Sequence, residues 1–164
     1  MRLSREPSRR EAAPPLPSTE VPVPEAAGRA PAFPWRETYV LHVPVLDQEH
    51  RKMFGFLNEL HELAFSKAES AQMQSALGRL IDHALHHFAS EERLMAAVRY
   101  PHRQHHRGEH QHCTRNAVRI LERLNAGDTI DPATVTSLKE CMVDHILLAD
   151  RRFAEFYRMR IRTR

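Results

Sequence analysis

Apolar side chains recur at three- and four-residue spacing along four stretches of the chain, the period of helices that bury one stripe. The first stretch covers about residues 47–65 and carries Met53, Phe54, Phe56, Leu57, Leu60 and Leu63. The second covers about 71–98, with Met73, Leu77, Leu80, Ile81, Leu85, Phe88, Leu94 and Met95. Tyr100-Pro101 ends it, because proline disfavours helix in the residue before it. The third covers about 102–124 and stops at Asn125-Ala126-Gly127-Asp128, with Gly127 as a left-handed cap. The fourth starts near Pro132, a good first-turn residue, and continues through Val135, Leu138, Met142, Ile146, Leu147 and Phe153 towards Tyr157. No two-residue alternation competes with these patterns. Four helices with short links predict an all-α fold, an antiparallel up-down-up-down four-helix bundle. Residues 35–44, with Trp35, Tyr39, Val40, Leu41 and Val43, are expected to lie across it as an extended cap.

The N-terminal stretch has no such period. Eight of the 11 prolines fall within residues 1–34, among Ala, Ser and Glu. A segment of that kind cannot bury enough apolar surface to offset its ordering entropy. The expected organisation is a disordered Pro-rich tail over 1–34, a possible site for a protein partner, and a folded domain over 35–164. The oligomeric state is not readable from the pattern.

Charge is segregated in the same way. Residues 151–164 hold six Arg and one Glu, so the basic balance of the whole chain, +3, is an effect of its ends. Those arginines read as a solvated helix end that suits the C-terminal dipole, with no nucleic-acid partner implied. No apolar run reaches the roughly 20 residues of a membrane span. Positive charges near the N-terminus lack a following apolar core, so a secretory leader is not expected and a cytoplasmic location is. Two cysteines, Cys113 and Cys141, make no disulfide framework and read as plain thiols.

Histidine changes the picture. The chain has 12, all after residue 34, and imidazole is the commonest protein metal ligand. His87 and Glu91 are four residues apart, as are His106 and His110. Residues four apart lie about 40° apart around a helix, so each pair can aim two ligands at one point. His50 sits on the first helix, and His145 and Asp150 on the fourth. Each helix therefore carries at least one ligand-type side chain, and a bundle core is a place where facing helices build metal sites. A set of five imidazoles and two carboxylates suits iron or manganese and differs from a thiolate-rich zinc site. It also differs from carboxylate-rich di-iron bundles with paired Glu-x-x-His motifs, since Glu109 to His112 is the one such motif here. Among the remaining histidines, His83 lies about 40° from His87 and could reach a ligand or the pocket.

Four motifs carry a family resemblance. They are Leu46-Asp47-Gln48-Glu49-His50 followed by Phe54 and Asn58-Glu59-Leu60; His87-Phe88-Ala89-Ser90-Glu91-Glu92 followed by Met95; Tyr100-Pro101 followed by His106 and His110; and His145-Ile146 followed by Asp150. From Trp35 to about Tyr157 the chain resembles the hemerythrins, and specifically the bacterial hemerythrin domains. The resemblance implies two non-haem iron ions with an oxo or hydroxo bridge. His106, His110 and His145 would hold one iron, and His50 and His87 the other. Glu91 and Asp150 would bridge the two. Dioxygen would bind at the open position of the two-histidine iron, under a pocket of Phe88, Cys141, Met142 and Ile146. The implied function is reversible dioxygen binding, as an oxygen carrier, store or sensor and not an enzyme. A di-iron peroxidase-like or nitric-oxide-handling enzyme is the alternative, with the sulfur near the pocket and His83 as its hints. The chain departs from the family in carrying His42 and Arg99 where glycine is common.

One spacing is awkward for that reading. His145 and Asp150 are five residues apart, which is about 140° around an ideal α-helix. For both to face one centre, the helix must widen between them, and a π-type turn does this at many functional sites. A distorted or π-like turn is therefore expected between His145 and Asp150.

Overall fold

A computed structural model of the chain describes residues 30–162. Most of the expected tail thus lies outside the described residues. A short 3₁₀ turn, Glu37–Tyr39, precedes α1 (Pro44–Phe65), α2 (Ser70–Ala97), α3 (Arg103–Asn125) and α4 (Pro132–His145). A π-helical turn, Ile146–Asp150, then joins α4 to α5 (Arg151–Arg162). The expected π-like turn is present, and α4, the turn and α5 form the fourth rod of the bundle. Helix α1 packs on α2 and α4, and α3 packs on α2 and α4, which closes a four-sided ring. The fold is all-α, a four-helix bundle.

The helix ends follow from local chemistry. Helix α1 starts at Pro44, three residues before the expected start. Proline is favoured in a first turn because its missing N–H is one of the groups left unpaired there. The same signal at Pro132 starts α4, where Asp131 accepts the Thr134 N–H at 2.8 Å. Helices α1, α2 and α3 end in one shared arrangement. The third residue past each end bonds back to the third-last helical carbonyl: Ala68 to Leu63, Tyr100 to Met95 and Asp128 to Arg123. That closure puts the residue just before it in the left-handed region. It is Lys67 at φ 53°, Arg99 at φ 55° and Gly127 at φ 97°. His42 also has φ 58°.

The core is built from the predicted stripes. Leu46, Met53, Phe54, Leu57 and Leu60 of α1 meet Met73, Leu77, Leu80 and Met95 of α2 and Val135, Ile146 and Phe153 of the fourth rod. Helix α3 differs, since its fully buried residues are His106, His110 and Leu124. Packing begins earlier in the chain than residue 35. Phe33 is buried, and its backbone is held by Asn58, which accepts the Phe33 N–H at 2.7 Å and donates to its carbonyl at 3.0 Å. The cap is not wholly extended. Its 3₁₀ turn lets Trp35 and Tyr39 pack on Phe54 at ring separations of 5.3 and 5.1 Å. Arg151 and Arg158 of the fourth rod donate to the carbonyls of Thr38 and Leu41. These two arginines therefore clamp the cap and are not part of a solvated end.

Candidate metal centre

The seven side chains singled out above meet in the middle of the bundle. His50, His87, Glu91 and Asp150 are 0% exposed, and His106, His110 and His145 are buried. Carboxylates are almost never buried without a partner, so the partners decide what the site is. Two groups form. Glu91, His106, His110, His145 and Asp150 make one, and His50, His87 and Asp150 make the other. Asp150 is common to both: Oδ1 faces His106 and His145 at 3.0 and 2.9 Å, and Oδ2 faces His50 at 3.2 Å. Glu91 turns Oε2 to His106 and His110 at 3.1 Å, while its Oε1 is buried without a hydrogen-bond partner.

The elements supply this register. His87 and Glu91, and His106 and His110, lie one turn apart on α2 and α3. The π turn carries Asp150 round to the face of His145, as its extra residue per turn requires.

Much of the close approach here is not hydrogen bonding, although His110 Nε2 does bond Glu91 Oε2 at 3.1 Å. His106 Nε2 and His145 Nε2 stand within 3.2 Å of carboxylate oxygens, yet neither makes an aligned bond, and both Asp150 oxygens accept none. Buried polar atoms left this way are costly. Atoms that crowd together without pointing at one another are the arrangement of ligands aimed at a shared centre. The histidine orientation agrees. His87 Nδ1 meets Glu49 Oε2 at 2.9 Å, which leaves His87 Nε2 3.0 Å from His50 Nε2. His110 Nδ1 meets Glu92 Oε1 at 3.2 Å, and His145 Nδ1 lies 3.6 Å from Glu109. Carboxylates behind a ligating imidazole fix its tautomer and turn its other nitrogen to the metal.

The electrostatics call for a cation. Burial by itself would push the His106 pKa down, but contact with Asp150 and Glu91 reverses this and holds it up at about 10. His145 is raised too: burial pushes it down, and the charge and close contact of Asp150 together with the charge of Glu91 outweigh that. Burial opposes ionisation of Asp150, yet His145, His106 and His50 hold its pKa well below the usual range. Glu91 is lowered against both burial and Asp150 by His106 and His110. Without metal, protons on imidazoles balance the buried carboxylates. A divalent cation does the same and releases those protons. The residues present fit a nitrogen- and oxygen-ligated transition metal.

A cavity of about 60 Å³ adjoins the His50, His87 and Asp150 group. Phe88, Cys141, Met142 and Ile146 all line it, together with Cys113 and Thr114. Phe88 also stacks on His110 with ring centres 4.0 Å apart. His83 does not reach it. Its Nε2 meets the Glu49 carbonyl at 3.0 Å and its ring lies against Phe56. The sequence reading missed Glu92 and Glu109 as partners of ligand-type histidines, and gave Glu49 no role. Their positions next to Glu91, one residue before His110 and next to His50 were the available signal.

Residues 41–157 match the family description Hemerythrin HHE cation binding domain, a stretch that contains all seven converging side chains. The chain belongs to the hemerythrin family. Among its relatives, Bacteriohemerythrin of Stenotrophomonas maltophilia is 28% identical over 121 residues, covering 74% of this chain and 78% of that protein. Bacteriohemerythrin of Pseudomonas aeruginosa is 26% identical over 124 residues, covering 76% and 80%. A wild-type hemerythrin crystal structure superposes with a TM-score of 0.72 at 23% identity, covering 77% of this chain and 98% of that one. This last likeness is one of fold. Among the described residues, no helix of this hemerythrin-family chain is long and apolar enough to cross a membrane.

Proposed function

We propose that this protein binds dioxygen reversibly at a non-haem di-iron centre, as an oxygen carrier, store or sensor. The two groups of donor atoms would be the two iron positions, with Asp150 common to both and Glu91, whose Oε1 is buried without a partner, as the second carboxylate that could serve both. The observation that carries the reading is their inequality. One group offers five side chains, while the other offers His50, His87 and shared Asp150 beside an apolar-walled cavity. A position poor in protein ligands and open to an apolar space suits a small neutral guest. When bound, the iron pair would supply the electrons that hold dioxygen. The protein's part is to orient and to shield. Glu49 and Glu92 fix His87 and His110, while Phe88 and Ile146 keep water and protons from the cavity side.

The alternative, a di-iron peroxidase-like or nitric-oxide-handling enzyme, draws on the sulfur of Cys113, Cys141 and Met142 in the cavity wall. Its other hint is gone, since His83 faces away.

The test is an absorption spectrum of the iron-loaded, reduced protein before and after air, and again after oxygen is removed. A visible band that comes and goes with oxygen is expected. A band that decays without recovery, with steady consumption of peroxide in the presence of a reductant, would favour the enzyme. Ile146→Ala and Phe88→Ala should retain iron but autoxidise faster, because each opens the shield. Unchanged autoxidation in both would remove these side chains from the pocket role.

A further inference from the structure

Cys113 on α3 and Cys141 on α4 are 28 residues apart in sequence but share one helix interface. The Cys113 thiol lies 4.0 Å from the Cys141 carbonyl oxygen and donates towards it. Both are free and half-buried, and both line the cavity beside His50 and His87. A disulfide needs the two cysteines on adjoining backbone with β-carbons roughly 3.5–4.5 Å apart, and a Cys113 thiol 4.0 Å from the Cys141 carbonyl places the two residues side by side across the α3–α4 interface.

We infer that Cys113 and Cys141 are a two-electron thiol switch, closing to an intramolecular disulfide when hydrogen peroxide enters the cavity. Their spacing along the chain does not pair them and both are free thiols here, so it is their shared place across α3 and α4 that carries the inference. Their roles are unequal. The Cys141 thiol is lowered to about 7, chiefly by its contact with Cys113 and against burial, whereas that same contact and burial push Cys113 up. Cys141 is therefore the attacking sulfur and Cys113 the resolving one, since the thiolate is the nucleophile.

Cys141 sulfur attacks one peroxide oxygen. The O–O bond breaks, the departing hydroxide takes the Cys141 proton as water, and Cys141 becomes a sulfenic acid. Cys113 sulfur then attacks the Cys141 sulfur. The S–S bond forms, the S–O bond breaks, and the hydroxyl leaves with the Cys113 proton as a second water. Two thiols lose two electrons, and one peroxide gains them. No metal takes part, so the switch stands apart from the oxygen-binding proposal.

The test uses the reduced full-length chain, with and without prior chelation, treated with equimolar hydrogen peroxide and then alkylated under denaturing conditions. Intact mass should show loss of both alkylated thiols and of two hydrogens in either sample. Non-reducing electrophoresis should show no cross-linked chains, and dithiothreitol should restore both thiols. Cys113→Ser should stop at a sulfenic acid on Cys141 that dimedone traps. Two thiols still alkylatable, sulfinic acid on either cysteine in place of the disulfide, or disulfide-linked chain pairs would overturn the inference. The wild-type result decides this even if a serine variant folds poorly. Failure in the chelated sample would leave the dioxygen reading untouched, and failure of oxygen binding would leave the switch untouched.

Discussion

Lys67, Arg99 and Gly127 occupy the same position after three different helices, each with positive φ. A side chain in that region costs roughly 1–2 kcal/mol, part of which glycine returns as lost freedom of about 0.5–1 kcal/mol. Lys67 and Arg99 are exposed, so neither is needed for packing. Lys67→Gly and Arg99→Gly should each stabilise the protein by about 0.5–1 kcal/mol, and Gly127→Ala should destabilise it by a similar amount. Urea midpoints at constant slope check this, and no shift in the double glycine variant would refute it. A second residue-scale expectation concerns Glu49. It anchors His87 from outside the site, so Glu49→Ala should weaken iron affinity by about 10–100-fold while the fold survives. Chelator competition reads the affinity and circular dichroism the fold, and wild-type affinity in the variant would deny Glu49 an orienting role. His87, Glu91, His106 and His110 were legible because helix spacing puts each pair on one face, whereas His50, His145 and Asp150 were assigned to the same centre by the family motifs. Glu49, Glu92 and Glu109 were not, because a glutamate facing a ligand's back has no spacing of its own and depends on how neighbouring helices rotate.

At the scale of elements, α3 and the π turn are the parts most dependent on the centre. The N-terminal half of α3 buries only His106 and His110, with no large apolar residue to dock it. The π turn has looser backbone bonding than an α-helix and is held in place by Asp150. Both segments should open locally more readily than α1, whose stripe of leucines and phenylalanines is intact without metal. Iron loading should therefore slow amide exchange most in residues 103–112 and 146–151. Hydrogen-exchange mass spectrometry reads this segment by segment, and equal protection across all four rods would contradict it. The π turn was legible from a single count, five residues between two side chains that must meet. The early start of α1 and the docking of Phe33 were not. The apolar stripe that marks α1 begins only beyond its first turn, and Phe33 is held by Asn58 across 25 residues.

For the whole molecule, the centre takes side chains from α1, α2, α3 and the fourth rod, so it exists only when all four are assembled. A metal bound by the folded chain alone adds stability by mass action, about 2.7 kcal/mol when free metal is 100 times its dissociation constant. In a domain of this size each kcal/mol moves the melting temperature by roughly 2–4 °C, so iron removal should lower it by about 5–10 °C. The metal-free chain is not left with two bare buried carboxylates, because His106 is held protonated between them and the raised pKa of His145 favours a proton there as well. It should therefore unfold cooperatively at the lower temperature and not collapse on chelation. Glu91→Ala separates the two contributions. Without iron it removes one buried carboxylate whose partner His106 can lose its proton in turn, so its melting point should stay near that of the metal-free parent. With iron added, the missing shared oxygens should cut both metal content and the iron-dependent rise. Calorimetry of parent and variant, each loaded and stripped, gives all four values. Identical melting temperatures for the loaded and stripped parent would mean that the seven buried side chains hold the bundle together without holding a metal.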